Sequence, residues 1–344
     1  MSQTTPADEK KVAPATRGRR AAEAPRHSPA HRVEYALART LERAVATLPE
    51  RASDAVGARV GALAGALGLR RKVVESNLRL AFPEQPEDWI ARTTRAAYEH
   101  LGRETAVILR LSRLDRQAVV DRTVPVGWDE LEGALGEGKG VLLVTGHFGN
   151  WELAAATVAS RGVPIAAIVR RQGNRLVDER LDLLRRRLGV ETISQGEAPS
   201  RVPRILRRNG VVGIVGDQDA RRAGVFVPFF GRPASTHRGP ALFALRLEAA
   251  VFACVSRRLP GPGVRYETSG HRIPVLRTGD LEADVRTLTA ALAAALEAEI
   301  RKAPEQYFWF HRRWKSSHRA EPAPSERGTA DAPPADGATD QDDA

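Results

Sequence analysis

The chain has 344 residues, 42% of them hydrophobic, enough to bury one sizeable core. Its formal net charge of +11 favours anionic partners (phospholipid head groups, an acidic carrier protein or nucleic acid) unless it reflects only a compositional preference for arginine. The single cysteine, Cys254, excludes an intrachain disulfide and a multi-cysteine metal site.

Residues 1–31 and 319–344 are rich in small, charged and proline residues, bury too little to offset ordering entropy, and read as disordered tails, the second acidic. That leaves 32–318 as one domain. No secretory signal pattern opens the chain. No stretch reaches the ~18 apolar residues of a spanning helix. From Val33 an amphipathic helix continues its apolar face through Leu41, Val45 and Leu48, and a small-residue helix follows from 55 to 69, with Arg70-Arg71-Lys72 after it. The region 33–69 suits an interfacial hairpin with a basic collar on an anionic bilayer, or helices packed on the domain's own core.

Helices are predicted at 75–82, ending before Pro83, and at 87–112. Strand and helix patterns then alternate: strand 141–144, helix 151–160, strand 164–169, helix 174–188, apolar runs at 190–193, 211–215 and 251–255, and a helix at 238–248. A hairpin within 264–276 is predicted at a sheet edge, and a long Ala/Leu/Glu helix at 281–303. Such alternation predicts an α/β fold, a largely parallel sheet flanked by helices, with the N-terminal helical extension in front of it.

Ligand sites of open α/β sheets gather at the carboxyl ends of the strands. His147 stands after the first strand, Arg170 and Arg171 after the second, and Asp217, Gln218 and Asp219 after the strand ending at Gly216. The segment Gly146-His147-Phe148-Gly149-Asn150-Trp151-Glu152 places a histidine in a glycine-flanked turn and a glutamate in the first turn of a helix capped by Asn150. No second histidine lies nearby as a zinc protease motif requires, and no Gly-x-Ser-x-Gly elbow is present. What remains is a histidine acting directly on a substrate hydroxyl beside a carboxylate, or a histidine ending the strand while Glu152 only satisfies the helix dipole.

Thr145-Gly146-His147-Phe148-Gly149-Asn150-Trp151-Glu152 resembles the His-x4-Asp/Glu motif of the lysophospholipid acyltransferase superfamily, and more narrowly its lipid A late acyltransferase branch. Three further blocks agree in order: Asn77-Leu78-Arg79-Leu80-Ala81-Phe82-Pro83, the segment 224–233 ending Gly231-Arg232-Pro233, and Tyr307-Phe308-Trp309-Phe310-His311-Arg312-Arg313-Trp314-Lys315. Relatives commonly begin with a membrane-spanning or deeply embedded helix, whereas this extension is weakly apolar and carries arginines.

The resemblance implies transfer of a fatty acyl chain from acyl carrier protein or coenzyme A to a glycolipid hydroxyl, at the cytoplasmic face of the inner membrane. No metal or cofactor is expected beyond the thioester co-substrate. His147 is the expected general base, and Glu152 is expected to orient it. The backbone amides of Phe148, Gly149 and Asn150, and Arg170, are candidates for stabilising the tetrahedral intermediate. Arg170, Arg171 and Arg232 alternatively clamp phosphates, with Gly231 beside Arg232. Asp217, Gln218 and Asp219 either shape the acceptor pocket or serve as turn residues. Phe226, Phe229 and Phe230 line an acyl tunnel or belong to the core. The aromatic and basic run 307–315 suits a membrane interface; it also suits single-stranded nucleic acid, but no RNA-binding module surrounds it, so nucleic acid is not the expected partner. A lipid A precursor with acyl-ACP is the preferred substrate pair. Phosphatidylinositol mannoside or another glycolipid with acyl-CoA is the nearest rival, and a thioesterase or lipase and a nucleic-acid-binding protein are rivals of other classes. The chain is read as a monomer.

Overall fold

A computed structural model describes residues 28–261 and 263–317. The stretches read as tails lie outside the described residues, except that 28–31 belong to the cap and start of the first helix. Four helices come first: α1 (Pro29–Thr47), α2 (Glu50–Ala66), α3 (Arg71–Ala81) and α4 (Glu87–Leu109). Then follow α5 (Arg116–Arg122), β1 (Thr123–Val126), α6 (Trp128–Gly136), β2 (Val141–Thr145), α7 (Trp151–Ser160), β3 (Ile165–Val169), α8 (Arg175–Arg187) and β4 (Val190–Ser194). The remainder is α9 (Ala198–Leu206), β5 (Val211–Val215), β6 (Val225–Phe229), β7 (Arg232–Thr236), α10 (Gly239–Leu247), β8 (Ala250–Arg258), β9 (Tyr266–Ile273) and α11 (Leu281–Lys302).

Seven strands form one sheet in the order β1-β9-β8-β2-β5-β3-β4, and every pairing is parallel except β8 with β9. The predicted α/β class and largely parallel sheet are therefore present. The central strands are apolar on both faces, as a doubly covered sheet requires: Val141, Leu142, Leu143 and Val144 are all buried. The hairpin expected within 264–276 is instead the single strand β9. It pairs antiparallel with β8 and is covered on its other side by β1, so it is not an edge. β6 and β7 form a separate two-stranded ribbon.

The N-terminal helices divide their faces. α2 crosses α4 along a seam of glycines: a Cβ at Gly61 would sit 2.0 Å from the Tyr98 carbonyl oxygen, and one at Gly102 2.0 Å from that of Gly57. Only hydrogen at these positions lets the two backbones touch. The opposite side is open to solvent, with Val60 and Leu63 of α2, Leu67 just after it, and Val33, Leu37 and Leu41 of α1 more than half exposed. The packing expected of 33–69 on the domain's own core therefore holds for one face of α2, while the other face carries exposed apolar side chains. Among the described residues no helix is long and apolar enough to cross a membrane.

Candidate active site

The strand order decides what meets His147. β5 lies directly beside β2, parallel and in register, with Thr145 opposite Val215, and the Gly216 N–H donates to the Thr145 carbonyl at 2.9 Å. The two strands therefore deliver His147 and Asp217 to the same level. The His147 ring Nδ1 donates to Asp217 Oδ1 at 2.6 Å, and the His147 backbone N–H donates to Asp217 Oδ2 at 2.9 Å. Both carboxylate oxygens are thus committed to one residue, which fixes the tautomer and leaves Nε2 as the basic nitrogen. Nε2 has no hydrogen-bond partner among the described residues.

The electrostatics follow from this contact. Burial by itself would lower the His147 pKa; the charge and hydrogen bond of Asp217 outweigh it, with a smaller contribution from the Glu152 charge, and hold the imidazole above its ordinary value. Burial would likewise raise the Asp217 carboxyl, but His147, and to a lesser degree His311, keep it well below the usual carboxylate range. A buried anion against a partly open imidazole is the arrangement that makes a histidine a base.

Glu152 occupies a different position from the one expected. Its carboxylate is held by Arg185 of α8 through two bonds, Nε to Oε2 at 2.8 Å and Nη2 to Oε1 at 2.6 Å, and makes no hydrogen bond to His147. The orienting contact belongs to Asp217, which was expected to shape an acceptor pocket or a turn. The physical reason is direction: the first turn of α7 aims Glu152 toward α8, while His147 lies on the turn before it. Asn150 does cap α7, its Oδ1 accepting from the Leu153 N–H at 2.9 Å.

The three turn amides offered for the tetrahedral intermediate are already engaged. The N–H groups of Phe148, Gly149 and Asn150 donate to the carbonyls of Gly146, Gln306 and Ser256. Phe148 itself is fully buried in the core. Gly149 has φ +55°, and a Cβ there would lie 1.9 Å from the Ser256 oxygen, so the turn requires glycine at this position.

The other expected residues scatter. Arg170 is exposed after β3, and Arg171 pairs with Asp178. Arg232 is exposed and donates to the Leu80 carbonyl, and Gly231 is, with Phe230, one of the two left-handed residues of the β6–β7 turn. Gln218 is half-buried in the loop after β5. Asp219 has a structural partner set, accepting from the Arg221 N–H and from the Ser316 N–H and hydroxyl, so it pins the C-terminal segment to that loop.

That segment closes one side of the site. The Phe308 N–H donates to the His147 carbonyl at 2.8 Å, and the rings of Trp151 and Phe308 lie 5.0 and 5.9 Å from the imidazole. Asn77 of α3 donates to the carbonyls of Trp309 and His311, so two of the sequence blocks are joined. Arg313 is buried, bonded to Ser235 and Thr236 and placed over the Phe229 ring. On the other side, a mostly apolar cleft begins at Gly216 and Asp217 and runs between β2, β8 and α11, lined by Val144, Cys254, Thr289, Leu292 and Leu296. Of the three phenylalanines expected in a tunnel or in the core, Phe229 is buried and borders this cleft; Phe230 packs among Phe82 and Trp309, and Phe226 does not reach the cleft.

Sequence reasoning missed Arg185, Tyr307, His311 and Glu104 as neighbours of this site; only the aromatic block 307–315 signalled two of them. Among the described residues no group of three or more His, Cys, Asp or Glu side chains could hold a metal ion.

Residues 28–316 match the family of bacterial lipid A biosynthesis acyltransferases. The chain is 30% identical over 227 residues to a phosphatidylinositol mannoside acyltransferase of Mycobacterium tuberculosis, covering 64% of this chain and 69% of the relative. It is 28% identical over 280 residues to the enzyme of that name from Mycolicibacterium smegmatis, covering 79% and 88%. It is also 28% identical over 274 residues to the lipid A biosynthesis lauroyltransferase of Escherichia coli, covering 78% and 87%. With the matched stretch spanning the sheet, the His147 turn and the C-terminal segment, the chain belongs to the bacterial lipid A biosynthesis acyltransferase family and is an acyltransferase.

Proposed function

We propose that this acyltransferase moves a fatty acyl group from a thioester to a hydroxyl of a glycolipid, with His147 as general base and Asp217 as the group that orients it. The observation that carries the proposal is the His147–Asp217 pair, whose carboxylate member lines a mostly apolar cleft. Nε2 takes the proton of the acceptor hydroxyl as its oxygen attacks the thioester carbonyl. The tetrahedral intermediate collapses with loss of the C–S bond, and the imidazolium returns the proton to the leaving thiolate. The positive end of α7, which begins at Trp151 beside the imidazole, favours the developing oxyanion. The acyl chain lies in the cleft along α11.

No covalent acyl-enzyme enters the proposal. Cys254 lies in the cleft, but burial pushes its thiol up to about 12, which keeps it protonated. The donor is acyl-ACP, with acyl-CoA as the alternative, and no further cofactor takes part. The acceptor is a lipid A precursor, as the family description suggests. Phosphatidylinositol mannoside is the second acceptor, favoured by the 30% identity to the mycobacterial relative. The exposed apolar faces of α1 and α2, followed by exposed Arg70, Arg71 and Lys72, hold the protein to an anionic bilayer surface.

The test is to incubate the purified protein with acyl-ACP or acyl-CoA and each acceptor in micelles and weigh the products by mass spectrometry. Acylated acceptor, abolished in His147→Ala, is expected. Release of free fatty acid at the same rate without acceptor would instead identify a hydrolase.

A further inference from the structure

Beneath the His147 turn lies a buried charged network that the proposed chemistry does not use. Glu104 of α4 is 3% exposed, yet each of its oxygens is bonded. Oε2 accepts from Asn150 Nδ2 and from the Tyr266 hydroxyl, both at 2.7 Å, and Oε1 accepts from Arg258 Nη1 at 2.9 Å. Arg258 reaches on to Asp54 of α2. Asn150 is the junction. Its Oδ1 caps α7, which forces its Nδ2 toward Glu104, since an amide oxygen facing that carboxylate would be repelled.

The same turn is gripped from its backbone. The Asn150 N–H goes to the Ser256 carbonyl and the Gly149 N–H to that of Gln306, while the Gln306 side chain bonds both the N–H and the carbonyl of Arg258. Arg258 therefore holds Glu104 by its side chain and the turn, through Gln306, by its backbone. A buried ion pair is rarely more stabilising than apolar residues of the same volume. What it supplies is direction, and direction is what a base needs when a misplacement of about 1 Å costs on the order of 100-fold in rate.

We propose that Glu104 is a positioning residue for His147: by holding the Asn150 side chain it keeps the 146–150 turn in the one arrangement that aims Nε2 at the acceptor hydroxyl. The inference rests on the acyl-transfer proposal above, because its readout is the transfer rate. Exchanging the two partners separates positioning from mere stability. Asn150→Asp keeps the α7 cap but sets two carboxylates face to face, whereas Glu104→Gln combined with Asn150→Asp restores an amide–carboxylate pair with the roles reversed.

In the full-length protein each single substitution is expected to lower kcat about 10- to 100-fold while both KM values stay within about two-fold. The double exchange should recover at least about ten-fold of kcat over Asn150→Asp alone. A double variant no better than Asn150→Asp would overturn the proposal, as would singles that raise KM with kcat intact or that lower only the melting temperature. Should a single variant fail to fold, Tyr266→Phe removes one donor to Glu104 and leaves the ring buried; a kcat reduced several-fold supports positioning and an unchanged kcat overturns it. Inactive wild-type protein would sink the acyl-transfer proposal itself, an outcome distinct from active wild type with indifferent variants.

Discussion

The sheet's carboxyl edge and the N-terminal helices are built on opposite principles. At the edge, polar groups are buried or half-buried and paired: Asp217 spends both oxygens on His147, Glu152 spends both on Arg185, and Glu104 accepts three hydrogen bonds. In α2 the buried contact is a glycine seam against α4, and large apolar side chains face outward, Val60 and Leu63 on α2 and Val33, Leu37 and Leu41 on α1. The first region ties each carboxylate oxygen to a named partner. The second fixes only which surface is presented. Chemistry demands the former, and the proposed contact with a bilayer tolerates the latter.

The largest effect is expected where the edge loses the carboxylate that faces the imidazole. Asp217→Asn keeps the shape but can no longer hold the Nδ1 proton, so the wrong tautomer competes and kcat should fall about 10³- to 10⁴-fold, with little change in melting temperature. The pH profile gives a second readout. Because the His147 pKa is raised above 6.5, the neutral base appears only as pH climbs past that raised value, and kcat/KM should rise with pH through it. In Asp217→Asn the partner charge is gone and the midpoint of this limb should move toward lower pH. An unmoved midpoint would show that Asp217 is not what holds the imidazole up.

Glu152→Ala sharpens the contrast between two carboxylates close in sequence or space to the same histidine. It leaves Arg185 without its partner, and the expected loss is about 3 kcal/mol of folding stability, read by urea unfolding, with a smaller fall in kcat than Asp217→Asn produces. A fall in kcat as large as that of Asp217→Asn, with stability unchanged, would return the orienting role to Glu152.

The elements that bracket this site were legible in the sequence. β2, α7, β5 and α11 carry long apolar runs or clean caps, Asn150 and Asp280 among them, and local chemistry was enough to place them. The segment 113–140 gave no pattern, since β1 is four residues long with Pro125 inside it, and α5 only seven. α9 carries Pro203, which reads as a break. The site was half legible. His147 and Asp217 both stood out as polar residues after core strands, but nothing in the order β2, β3, β4, β5 says that β5 inserts beside β2. Glu152 was linked to His147 because they are near in sequence. Its partner Arg185 lies 33 positions away on a helix full of arginines, with no local mark to distinguish it.

On the helical side the largest consequence comes from the seam. At Gly61 a valine has no space, because the position is already 2.0 Å from a backbone oxygen that cannot swing aside. Gly61→Val should push α2 off α4 and destabilise the protein by about 3 kcal/mol or more, at the upper end of overpacking effects. Thermal unfolding measures this directly. A variant that melts within a degree or two of the wild type would mean that α2 does not rest on α4 through this glycine.

The smallest change in stability should come from the outer face of the same helix, only two residues further along the chain. Leu63 and Leu67 are 59% and 68% exposed, so replacing both with glutamine removes almost no contact within the protein and should alter stability by less than about 0.5 kcal/mol. Their transfer into a bilayer interface is another matter. Two leucines account for a large part of the apolar area that α2 offers, and losing them should weaken binding to anionic vesicles about ten-fold in a sedimentation assay. Added salt should weaken wild-type binding further, because the exposed Arg70 and Lys72 beside this face act through screened charge. Equal sedimentation of variant and wild type would place the bilayer against some other surface and leave the outward leucines without a partner.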